Sequence, residues 1–157
     1  MAEFRGRLRA IGRVAVLVSL YNELVTAKLL EGALACCREA GIPETDVDVV
    51  WLPGAFELGA AASVAAESGR YAAIVALGAV IRGETAHFDY VAGEAARGLN
   101  EVAVRTGIPV GFGVLTTDDL DQALARAGGA AGNKGHEAAE AALTAADVLA
   151  QIRASRA

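Results

Sequence analysis

His87 is the residue whose chemistry packing alone accounts for least. An imidazole titrates near pH ~6.5, so it can both take and give protons at neutral pH. A solitary histidine is more often structural, but this one follows Arg82-Gly83-Glu84-Thr85-Ala86 and precedes Phe88-Asp89-Tyr90, where a helix should open. Free backbone N–H groups at a helix start, together with the helix dipole, favour an anion such as phosphate, which makes Gly83, Glu84 and Thr85 candidates for holding one. Arg126 offers a permanently charged guanidinium that forks onto phosphate; the bland alternative is a solvated surface arginine. Tyr21-Asn22, Ala55-Phe56-Glu57 and Phe112 add aromatic faces and a carboxylate. Taken singly, Phe56, Phe88 and Phe112 read as core residues, since aromatics dominate core burial.

Other residues of the same types carry less. His136, between Gly135 and Glu137, reads as part of an exposed first helical turn, and two histidines without HxxH or CxxC spacing predict no metal. Cys36 and Cys37 are adjacent within a helical pattern, which fits neither a disulfide framework nor a zinc site and predicts reduced, packed side chains. Gly111-Phe112-Gly113 begins a GxG pattern, but Thr116 stands in the third glycine's place within a strand, which disfavours a dinucleotide site.

The elements that must position these residues follow from periodicity. Residues 13–20, 47–52, 71–81 and 110–115 are short apolar runs that read as strands. Between them, spacing near ~3.6 predicts helices over 23–40, from Pro53-Gly54 to Ser68-Gly69, and over 88–105. Asp118 or Asp119 should cap a short helix through Ala127, and after a break at Gly128-Gly129, Asn133 should cap a last helix reaching Arg153. Strands that are almost wholly apolar and alternate with helices predict a four-stranded parallel sheet covered on both faces, a three-layer αβα sandwich. Ligands of such sheets sit beyond the carboxyl ends of the strands. Tyr21, the Ala55-Phe56-Glu57 segment and His87 all follow strands there, and this shared location argues against the core reading of the aromatics.

Composition bounds the function classes. The 157 residues suit an arm over 1–12 followed by one domain over 13–157. A hydrophobic fraction of 54% exceeds what a monomer of this size must hide, yet no run nears the ~20 apolar residues of a membrane span, so self-association is the expected use of the surplus. A net charge of −5 without a basic cluster excludes nucleic acid as an expected partner. The first twelve residues carry Arg5, Arg7 and Arg9 and lack an apolar segment, so a cytoplasmic location is expected.

Four blocks, PGAFE at 53–57, GAVIRGETAHFDYV at 78–91, FGVLTT at 112–117 and RAGGAAGNKG at 126–135, resemble the lumazine synthase family in order and spacing over about residues 12–150. The resemblance implies a flavodoxin-like fold and the condensation of 5-amino-6-(D-ribitylamino)uracil with 3,4-dihydroxy-2-butanone 4-phosphate, without cofactor. By similarity, Tyr21 stacks on the uracil ring where the family commonly has Phe or Trp. Ala55, Phe56 and Glu57 hold the ring and ribityl chain, and Ala79, Val80 and Ile81 line the pyrimidine slot. Phe112 and Arg126 come from the adjacent subunit; Glu84, Thr85 and Arg126 take the phosphate, and His87 shuttles protons. Asn22, Gly83 and Lys134 are secondary candidates. Glu84 should contribute its N–H while its carboxylate turns away. The resemblance further implies pentamers, with the N-terminal segment adding a strand to a neighbour. The compact Gly128–Asn133 link resembles that of members forming sixty-subunit shells, and riboflavin synthase is an implied partner. Rival readings are a riboflavin synthase of the archaeal type, a silent cage-forming scaffold and a flavodoxin-like nucleotide binder.

Overall fold

A computed structural model describes residues 1–155. The chain runs through β1 (Val14–Ser19), α1 (Glu23–Glu39), β2 (Val47–Leu52), α2 (Leu58–Glu67), β3 (Ala73–Ile81), α3 (His87–Thr106) and β4 (Val110–Thr117). It ends with α4 (Leu120–Ala125), two short strands β5 (Ala127–Gly129) and β6 (Gly132–Asn133), and α5 (Lys134–Ala154). The main sheet has the order β2-β1-β3-β4 and every pair is parallel.

Period-two alternation sends successive strand residues to opposite layers. Val14, Val16 and Val18, with Val75 and Leu77, pack under Leu29 and Cys36 of α1 and Leu143 of α5. Ala15 and Leu17, with Ile74 and Ala76, pack under Leu58 and Ala62 of α2 and Leu99 and Val102 of α3. Each central Val, Leu or Ile removed from water contributes about 1.5 to 3 kcal/mol, and this two-sided burial explains why β1 and β3 contain almost nothing polar. The three-layer sandwich expected from the sequence is therefore present. Cys36 and Cys37 are buried and unbonded to each other, and burial, followed by the neighbouring Cys37, Glu140 and Glu39, pushes the Cys36 thiol up to about 12.

Several expectations need correction. β2 is an edge strand, and Val49, Val50 and Trp51 are exposed, so two-sided cover fails there within one chain. The helix expected from Pro53-Gly54 opens with a 3-10 turn at Ala55–Glu57, a detail that the sequence does not show, and ends beside Ser68-Gly69 as expected. The Gly128-Gly129 break is an antiparallel hairpin, made possible by left-handed Gly128 and Gly132 at φ 102° and 83°. His136 is half-buried and bonded to Glu39 at 2.8 Å, where an exposed turn was expected. Within the single chain, part of the arm over residues 1–12 docks on α5 through Asp147, which accepts from the Arg7 N–H at 2.8 Å and the Arg9 guanidinium at 2.6 Å; any pairing with a neighbour's sheet is a property of the assembly. Asn133 caps α5 as expected, accepting from the N–H groups of Gly135 and His136.

Candidate active site

The β-ladders continue past the strand ends and set the site. Leu20 N–H donates to Leu52 at 2.7 Å and Tyr21 N–H to Pro53 at 3.1 Å, which brings Tyr21 beside the segment that carries Phe56. Asn22 then adopts a left-handed conformation at φ 62°, and its side-chain amide donates to the Ala79 carbonyl at 2.8 Å, tying the start of α1 to the end of β3. Gly78 admits this arrangement, because a Cβ there would press on Ser19 Oγ at 3.2 Å and on Leu58 and Ala55. Arg82 N–H donates to Thr117 at 2.8 Å, extending the β3–β4 ladder into the loop before α3.

That loop delivers His87 as the first residue of α3. The preceding Ala86 offers no side-chain cap, and the Thr85 hydroxyl accepts from the His87 N–H at 3.4 Å instead. The guanidinium of Arg82 lies 4.3 Å from the centre of the Phe88 ring and pairs with Asp118 at 3.1 Å and Asp89 at 3.7 Å, holding the loop from three sides.

These pieces enclose a cavity of about 710 Å3, a size suited to a small-molecule ligand. Tyr21 and Phe56 stand on its rim with 72% and 59% of their surfaces exposed, so neither is a core residue; the core reading fails for Phe56 and for Phe112, and Phe88 is partly buried. Ala55 and Glu57 line the cavity from the 3-10 turn, Ala79, Val80 and Ile81 from the end of β3, and Gly83, Thr85 and His87 from the loop above. Glu57 folds back over Gly54, where a Cβ would meet its carboxylate at 3.2 Å. Phe88, read from the sequence as a core residue, and Tyr90 and Val91, to which no role was given, add a further wall. Their positions, at the start of α3 one turn from His87, are the only signal that could have found them. Arg82 was also overlooked, although it directly follows β3.

Five expected residues do not line the cavity. Glu84 is exposed outside it, between two lining residues. Asn22 acts on the backbone below. Lys134 pairs with Glu137 at 3.3 Å on α5. Phe112 projects from the middle of β4, the other edge strand, half exposed. Arg126 ends α4, with its guanidinium donating only to the Gln122 carbonyl at 3.0 Å, and no carboxylate pairs with it among the described residues.

An open parallel sheet whose cavity spans the carboxyl ends of β1, β2 and β3 defines a flavodoxin-like α/β protein with its ligand site at the strand ends. The match narrows the class: the chain belongs to the 6,7-dimethyl-8-ribityllumazine synthase family, whose model covers residues 12–150. That family makes lumazine on the route to riboflavin. No helix among the described residues is long and apolar enough to cross a membrane.

Proposed function

We propose that the protein condenses 5-amino-6-(D-ribitylamino)uracil with 3,4-dihydroxy-2-butanone 4-phosphate, giving 6,7-dimethyl-8-ribityllumazine, phosphate and water. The observation that carries this reading is the gathering of Tyr21, Phe56, Glu57, Val80 and His87 around one cavity in a chain matched to the family over residues 12–150. The flat ring lies between the aromatic rim and the β3 backbone, with Glu57 accepting from the ribityl hydroxyls. The 5-amino group attacks the ketone, and water leaves as the imine forms. Phosphate departs as an enol develops, and closure by the ribitylamino nitrogen releases water again. His87 moves protons at the mouth, and the N–H groups of Glu84 and Thr85 face the phosphate. Positioning and charge neutralisation supply most of the acceleration.

Phe112 and Arg126 complete this site from a neighbouring chain. Phe112 is half exposed on an edge strand and Arg126 part-buried at a helix end, both away from the cavity, which supports that reading, as does the exposed apolar face of β2. The assembly is a pentamer that closes further into a sixty-subunit shell, for which the short β5–β6 link leaves room, and it resides in the cytoplasm with riboflavin synthase as its functional partner.

Purified protein given both substrates should produce lumazine absorbance, and light scattering of the same sample should report the mass of the shell. Product from lumazine alone would instead mark a riboflavin synthase, and no product from either would mark a silent scaffold. His87→Ala should lower kcat by up to about 10²-fold with little change in KM, because proximity survives the loss of proton transfer. Saturating the variant with both substrates should not restore its rate. A kcat equal to that of the unaltered protein would remove His87 from the mechanism.

A further inference from the structure

α1 and α5 meet so closely that small residues are required at the contact. A Cβ at Gly135 would strike the backbone of Leu29, and one at Gly32 would strike the side chain of Asn133. Asn133 locks the crossing: it accepts from Gly135 and His136 N–H at 2.8 and 3.1 Å, and its amide donates to the Lys28 carbonyl at 3.0 Å. The first turn of α5 is thereby fixed on α1, and His136 is delivered to the face that carries Cys36 and Glu39. The Cys36 sulfur, a Glu39 carboxylate oxygen and a His136 ring nitrogen lie within 4.8 Å of one another. Nε2 of His136 is 2.8 Å from Glu39, while Nδ1 is 3.8 Å from the carboxylate of Glu140.

Sulfur, imidazole and carboxylate donors at this separation are the set that zinc prefers, and hard cations such as magnesium do not use sulfur. With bonds of about 2.0 to 2.3 Å, tetrahedral donors stand roughly 3.3 to 3.8 Å apart. The Glu39–His136 contact must therefore open by under about 1 Å, which the exposed Glu39 side chain can do by rotation, and any wider gap to the buried Cys36 sulfur must close by about 1 Å through a turn of the His136 ring or of Glu39. Glu140, facing the ring nitrogen that Glu39 does not touch, supplies the carboxylate that usually orients a metal-bound histidine. We infer that Cys36, Glu39 and His136 form a structural zinc site joining α1 to α5, with water entering past Glu39 as the fourth ligand. On binding, the Cys36 sulfur exchanges its proton for the metal and the proton goes to solvent. At 1.5 Å per residue, Cys36 lies about 20 Å along α1 from Glu23, so this site is separate from the cavity. The sequence spacing that predicts no metal does not register a pairing between helices so far apart in the chain.

The test uses untagged, full-length protein stripped with a chelator and titrated with Zn2+ or Co2+ alone. One equivalent of zinc per chain should survive dialysis, and the Co2+ form should show a thiolate-to-cobalt charge-transfer band. Cys36→Ser should abolish that band, and His136→Gln should weaken zinc binding at least about 100-fold. Glu140→Gln should weaken it by about 10- to 100-fold. Glu39→Gln, at an exposed position, removes a ligand while sparing the core, and circular dichroism of the metal-free variants separates a lost ligand from a lost fold. The inference is overturned if the unaltered protein retains no more zinc than a folded Glu39→Gln/His136→Gln double variant, or if its cobalt spectrum lacks a sulfur band.

Discussion

Asn22 is the only non-glycine residue with positive φ among the described residues, and it sits beside Tyr21 at the mouth of the cavity. Its amide bond to Ala79 at 2.8 Å fixes two proposed substrate contacts relative to each other. Asn22→Ala loses that hydrogen bond, about 1 kcal/mol, and meets the left-handed penalty of a residue with a Cβ, about another 1 kcal/mol. Asn22→Gly loses the bond but keeps the conformation. Thermal unfolding at fixed protein concentration should rank the unaltered protein first, glycine next and alanine last, with kcat/KM reduced in both variants. An alanine variant as stable as the glycine one would refute the conformational argument. At this scale the sequence was informative at the carboxyl ends of strands, as for Tyr21 just past β1 and Ile81 at the end of β3. It was silent on Arg82 stacking over Phe88, because that contact depends on how the loop folds back across α3.

Helix placement depends on glycines at close contacts. Gly135 touches α1 where a Cβ would strike the Leu29 backbone, which cannot rotate aside as a side chain could. Gly135→Ala should destabilise the protein by about 2 to 3 kcal/mol, seen as a lower Tm with α1 and α5 less protected from hydrogen exchange. The arm on α5 is held by charge. Asp147 sits below the usual carboxylate range, first because the Arg7 N–H donates to it and then because of the Arg9 guanidinium. Such a group binds its proton more weakly when folded than unfolded. Its stabilisation is therefore complete above the ordinary aspartate value near ~3.9 and is lost as pH falls through the lowered folded value. The arm should stay docked at about pH 5 and begin to loosen only below the ordinary aspartate value, releasing as pH falls through the lowered one. Asp147→Asn should expose Arg5, Arg7 and Arg9 to trypsin at neutral pH; equal resistance in the variant would mean that another contact holds the arm. The elements of the main sheet were legible because a strand buried on both faces is almost wholly apolar. The β5–β6 hairpin was not, since it rests on two left-handed glycines and carries no hydrophobic period.

At the scale of the molecule, no free cation among the described residues of one chain lines the cavity. Arg82 is committed to Asp89 and Asp118, and Arg126 points elsewhere. A phosphate-bearing substrate needs a guanidinium or its equivalent, so the proposed chemistry requires a second copy to bring Arg126 to the mouth. This can be tested by mixing two impaired proteins and reading the gain over their residual rates. His87→Ala and Arg126→Ala, unfolded together and reassembled at equal amounts, should regain about a quarter of the unaltered activity, since one neighbour pair in four combines an intact His87 with an intact Arg126 across the seam. A site built within one chain would gain nothing over the residual rates of the two variants, because every chain in the mixture lacks one of the two groups. Recovery should fall to zero when both substitutions are placed in the same chain and mixed with an assembly-competent partner that lacks either residue. The mixing ratio gives a second check: adding Arg126→Ala to a large excess of His87→Ala should leave nearly every His87-bearing chain beside an intact arginine, so activity per added chain should about double that of the equal mixture.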